Sequence, residues 1–95
     1  MRLPEIEALP LHDSTLVSVD MSWKEARCKM TLLLSTGKHR LDFSNVTMVR
    51  IPRESPWGPS VSVNSASVKD GVVAIEMQSG DTIEIAAREV EFSAL

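Results

Sequence analysis

The sequence predicts an all-β domain, and three observations carry that expectation. Apolar residues recur at every second position through most of the 95-residue chain and rarely at helical spacing. All four glycines, Gly37, Gly58, Gly71 and Gly80, fall between the alternating runs, where turns need positive φ. Three of the five prolines, Pro52, Pro56 and Pro59, crowd into one stretch that cannot be a central strand. The expected architecture is two three-stranded antiparallel meanders packed as a small sandwich or flattened barrel, with at most one short N-terminal helical turn.

Taken in order, Pro4 to Leu9 can form one helical turn with Pro4 at its first position, and Pro10 stops it. Val17, Val19, Met21 and Trp23 then alternate with Ser18, Asp20 and Ser22. Beyond the polar turn Lys24-Glu25-Ala26, the residues Cys28, Met30, Leu32 and Leu34 do the same. Alternation returns in His39, Leu41 and Phe43 after Gly37, and in Thr47, Val49 and Ile51. The first meander spans about residues 14–51 and the proline-rich connection 52–60. The second meander, about 61–92, turns at Asp70-Gly71, a pair that favours a tight type I′ hairpin, and again at Ser79-Gly80-Asp81. Its apolar sets are Val73, Ile75 and Met77, then Ile83, Ile85 and Ala87. Strand, polar turn, strand, glycine turn and strand thus occur twice in the same order, a shared pattern rather than a repeat of identities. Met30, Leu32, Leu41, Phe43, Ile75, Met77, Ile83 and Ile85 form the expected core of one domain covering residues 1–95.

Composition narrows the function classes. With 43% hydrophobic and 24% charged residues and one cysteine, the chain fits neither disorder nor a disulfide scaffold. Its longest apolar run, Val72 to Ile75, falls far short of the ~20 residues that span a bilayer, and no N-terminal stretch resembles a signal peptide. A cytoplasmic location with no membrane contact is expected. There the Asn45-Val46-Thr47 sequon is silent and Cys28 is read as a buried small hydrophobe. Net charge is −3, yet residues 24–53 hold seven Lys or Arg against Glu25 and Asp42. The remainder carries three basic and eleven acidic residues. Alternation places Arg27, Lys29, Lys38 and Arg40 on one outer face and Glu76 and Glu84 on another. One positive and one negative face are therefore expected, which makes a homodimer plausible.

Leu11-His12-Asp13-Ser14 holds the residue types of a hydrolase or metal site, but neighbours in an extended segment point to opposite sides and converge only across a sharp turn. A small hydrolase at His12 and Asp13 is the weakest of three functional readings, the bland one being that Asp13 or Ser14 caps the start of the first strand. His39 is read as a structural histidine at the core rim, and a Cys28–His39 nucleophile lacks partners in register. No phosphate-cradling loop, Cys-x-x-Cys pair or zinc helix is present, so neither cofactor nor metal is expected. A nucleic-acid-binding β-domain using the basic face of residues 24–53 is the second reading, weakened by the scarcity of aromatics and a pI near 5.3.

The segment Arg50 to Ser60 combines rigidity, charge and one large aromatic. Trp57 either folds back as a lid or stands displayed, and with Arg50 and Arg53 it is the first candidate contact site. The Leu11-His12-Asp13-Ser14 start, the tryptophan closing the first strand, the Pro56-Trp57-Gly58 loop and Ile75 to Asp81 together resemble small uncharacterised bacterial β-domain proteins, some similar in style to immunity proteins of toxin systems. The resemblance implies a non-enzymatic binder that works by surface complementarity. The favoured reading is accordingly a bacterial protein-binding or accessory module whose partner is another protein, with Trp57, Arg53, Arg50, Arg27, Lys29 and Arg40 as its binding residues.

Overall fold

Alternating burial dominates the computed structural model, which describes all 95 residues. After a 3-10 helix at Leu3–Ala8 come eight strands: β1 (Thr15–Ser22), β2 (Arg27–Leu34), β3 (Gly37–Ser44), β4 (Met48–Arg50), β5 (Val63–Lys69), β6 (Val72–Met77), β7 (Thr82–Ala86) and β8 (Glu89–Ala94). They form two antiparallel four-stranded sheets, ordered β1-β2-β3-β8 and β4-β7-β6-β5.

The expected architecture is corrected in one respect and decided between its two alternatives in another. Each sheet has four strands rather than three, because the halves exchange an edge strand: β4 leaves the first half to pair with β7, and β8 leaves the second to pair with β3. The boundaries at residues 51 and 61 therefore divide the chain but not the sheets. The structure is also a sandwich and not a flattened barrel. Between the sheets the backbones meet only around an isolated bridge from Thr15 to Ser62, which lies just outside β5, so the sheets do not join into a closed barrel.

Seventeen buried apolar residues, from both sheets, the N-terminal helix and two connecting segments, make one core, and all eight expected core residues are among them. Burial alternates along β2, β6 and β7 as a half-buried strand requires. It fails along β1, where Val17 and Met21 stay exposed, and Trp23, expected to close the alternating run, lies exposed in the turn beyond the strand. Two features explain this. A bulge between Leu16 and Ser18 inserts Val17 out of phase, and β1 is an edge strand with one neighbour only. The Asp70-Gly71 turn is tight with both residues at positive φ, 51° and 76°, as a type I′ hairpin needs.

The N-terminal helix closes one seam of the sandwich. Leu3 and Ile6 are buried, and the Glu7 carboxylate accepts the Val68 N–H of edge strand β5 at 3.0 Å. On the other edge strand of that seam, the Met1 ammonium donates to the Val90 carbonyl at 2.9 Å and to Glu91 at 2.7 Å. Nothing comparable covers the seam between β1 and β4. No helix is long and apolar enough to cross a membrane.

Candidate functional site

The open seam continues into a groove of about 480 Å³. Leu16 and Val19 wall it from β1, Ile51 and Val61 from the ends of the proline-rich connection, and Met77 and Ile83 form its floor. Its rim is polar, with Arg53, Ser55, Ser60 and Asp81.

Asp81 shapes this site. Its carboxylate is almost fully buried and accepts the backbone N–H groups of Glu54 and Ser55, both at 2.9 Å, and the Ser79 hydroxyl at 2.7 Å. The Glu54 N–H and the Ser79 hydroxyl hold the carboxyl below the ordinary aspartate value against the opposing effect of burial, with the Ser55 N–H and the nearby Arg53 charge adding to them. A charged acceptor inside the β6–β7 turn thus ties down a loop more than twenty residues away. The Trp57 N–H adds a bond to the Ser79 carbonyl at 2.9 Å, and the Gly58 N–H one to Ser55 at 3.0 Å.

Trp57 is 74% exposed. Its ring rests on Gly80, where a Cβ would come within 2.9 Å of both Trp57 Cδ2 and Pro56 Cγ. One face of the indole lies on the turn and the rest meets solvent, so Trp57 is displayed on a fixed support instead of being folded into the core as a lid. Arg53 is exposed and pairs with no carboxylate, whereas Arg50 reaches Glu84 at 3.1 Å. Trp57 and Arg53 thus share the loop, and Arg50 stands one strand away on β4.

Arg27, Lys29 and Arg40 lie elsewhere, on the outer face of the β1-β2-β3-β8 sheet. The register sets Lys29 between Asp20 and Asp42, and Arg27 binds Asp42 through two nitrogens at 2.9 and 3.3 Å, which raises the guanidinium pKa. Glu91 faces Asp42 and Glu89 faces Ser44 on the same surface, and Arg40 Nε is covered without a hydrogen-bond partner. Four cations, Lys38 included, therefore share that face with four anions, which corrects the expectation of a positive face. The negative face is tempered too, since Glu84 pairs with Arg50 and Glu76 accepts from Asn64 at 2.7 Å.

The Leu11 to Ser14 segment does make the sharp turn that would let its side chains converge, with Asp13 at φ 65°. His12 Nε2 lies 3.4 Å from Asp13 Oδ2, and His12 Nδ1 donates to the Asn64 carbonyl at 2.7 Å. Gln78 donates to the other Asp13 oxygen, while Ser14 is buried and donates to the Leu11 carbonyl at 2.6 Å. The assembly is an exposed polar clasp on β5 and the β6–β7 turn with a structural serine beside it. His39 stacks on Phe92 at 5.0 Å and contacts the Gly37 carbonyl, four rungs along β2 from buried Cys28. No group of three His, Cys, Asp or Glu side chains gathers closely enough to hold a metal ion.

The residues that sequence reasoning missed are Asp81 and the groove-lining pair Ile51 and Val61. The signal for Asp81 was its place after Ser79-Gly80, where an acidic side chain commonly turns inward to bind backbone N–H groups. No family model and no curated protein matches this chain. Among solved structures, a crystal structure of an uncharacterized protein from Neisseria gonorrhoeae is similar in fold, with a TM-score of 0.59 at 13% identity over 88% of this chain and 93% of that one.

Proposed function

We propose that this chain is a non-catalytic bacterial protein-binding module, working in the cytoplasm in the style of an immunity protein, that engages another protein through the proline-rich loop and the adjoining groove. The observation that carries this reading is the Asp81 anchor. It holds Trp57 and Arg53 in place before any partner arrives, so docking them costs little conformational entropy. Trp and Arg lead the residue types that dominate binding energy, and an apolar groove beside them offers room for a partner side chain. The mixed charge of the outer sheet face favours a protein partner over a nucleic acid, whose phosphates need uncompensated cations.

The test is photo-crosslinking from position 57 in bacterial cells, followed by binding measurements on the captured protein. Trp57→Ala and Arg53→Ala should each weaken that protein by more than about 2 kcal/mol, the hot-spot range, while Lys29→Ala on the outer face leaves it unchanged. Equal affinity across all three variants would remove the loop from the interface. Tight, steeply salt-dependent binding of oligonucleotides lost in Lys29→Ala would move the function to the sheet face.

A further inference from the structure

We propose that two copies of this chain pair antiparallel through the free edge of β1, on a two-fold axis at Met21. This goes beyond the partner-binding loop and does not depend on it.

A sandwich of two open sheets has four edges, and three are guarded. On β8, Val90 exchanges backbone hydrogen bonds with Met1, and Arg2 bridges to Glu89. On β5, the Glu7 carboxylate takes the Val68 N–H, and Val63 bonds Asp13 and Ser14. β4 is three residues long and ends just before Pro52. The start of β1 is also occupied, since the Leu16 N–H donates to the Val61 carbonyl at 2.8 Å. On the side away from β2 no strand lies alongside Ser18 to Ser22 or the turn residue Trp23, and Asp20 is the sole charge there. Met21 is 42% and Trp23 89% exposed there.

Charge and shape select a second copy as the occupant. An axis at Asp20 would set that carboxylate against its own copy, and an axis at Val19 would draw the bulged Val17 into the ladder. An axis at Met21 avoids both. It sets Met21 on Met21 and Asp20 against Ser22, with Val19 facing Trp23 at the first position of the turn after β1; Asp20 then lies diagonally between Lys24 and Asp20 of the other copy, so no like charges are directly opposite. The apolar rungs lie on the core side of the sheet, because Val19 and Met21 pair in register with buried Met30 and Cys28. Beside them an apolar groove of about 420 Å³, lined by Met21, Trp23, Val46, Met48 and Val49, extends the contact toward β4. Each outer face already balances its own charge, which makes this edge a better self-contact than apposed faces.

Light scattering after size exclusion should give about twice the 10.5 kDa chain mass at tens of micromolar. Met21→Lys and Trp23→Ala, both at exposed positions, should shift the dimer to monomer by about tenfold or more in dissociation constant with melting of the monomer unchanged. Asp20→Lys should weaken the dimer and the added Lys24→Asp restore it. Met21→Cys should form a disulfide-linked dimer under mild oxidation where Ser18→Cys does not, since only residue 21 meets its own copy. Trp57→Ala should leave the dimer intact, which separates this contact from the partner loop. A wild-type monomer at 100 µM, a dimer untouched by Met21→Lys, or equal crosslinking from positions 18 and 21 would overturn the proposal.

Discussion

Asp81 shows how much one side chain can organise. Its lowered pKa means the folded protein binds that proton less readily than the unfolded chain does. The stabilisation is therefore fully present above the ordinary aspartate value of ~3.9 and is lost as pH falls through the lower folded value. Acidification through that lower folded value should release the loop, read as a fall in the protection of the Glu54 and Ser55 amides relative to their intrinsic exchange rates at each pH, while core amides stay protected. Protection at those two amides that persists after Asp81 has been protonated would detach the carboxylate from the loop. Gly80 is the matching constraint. With φ at +92° and Trp57 and Pro56 pressed against its missing Cβ, Gly80→Ala should cost about 1–2 kcal/mol from backbone strain alone and lift Trp57 off the turn. Thermal melting measures the first effect and iodide quenching of Trp57 the second.

Individual elements bury what their periodicity prescribes wherever they have neighbours on both sides. Leu32 of β2 and Ile75 of β6 are both fully buried. Changing either to Ala should cost ~2–5 kcal/mol in urea unfolding, as large-to-small core substitutions do. The N-terminal 3-10 helix deserves the same test, because its Ile6 is fully buried although the element spans only six residues. Ile6→Ala should fall in the same ~2–5 kcal/mol range, and a loss under ~1 kcal/mol would show the helix to be an ornament rather than the lid of the β5–β8 seam. Cys28 of β2 gives an independent readout. Burial pushes its thiol pKa up, with Asp20 and Asp42 adding to the effect, so it should resist thiol reagents in the native state and react only on unfolding.

At the scale of the whole molecule, both tryptophans lie outside the core and the chain has no tyrosine. Native emission should therefore be red-shifted and readily quenched, and unfolding should change it little. Dimerisation through Trp23 or partner docking on Trp57 should instead shift it to the blue, and single-tryptophan variants assign the change. A strongly blue-shifted native spectrum would mean that one indole is buried. The sandwich also spends its protection unevenly, with a helix, a terminus and a carboxylate on one seam and bare strand on the other. That asymmetry leaves the β1 side open, and both the proposed partner loop and the proposed dimer edge lie there.

Much of the fold was legible in the sequence, since alternation, glycine positions and the Asp70-Gly71 pair act over neighbouring residues and need no tertiary context. They marked the hairpins, the eight core residues and the proline-rich connection. Pairing between distant segments obeys no such local code. Nothing in three residues at Met48 or six at Glu89 says which sheet they join, and their exchange between halves made four-stranded sheets of expected three-stranded ones. The site divides the same way. Trp57 and Arg53 stood out because prolines and glycine surround an aromatic and a cation. The carboxylate that fixes them, the groove beside them, and the anions of β3 and β8 that cancel the basic face come from remote positions, and only the folded chain brings them within hydrogen-bonding and Coulomb range.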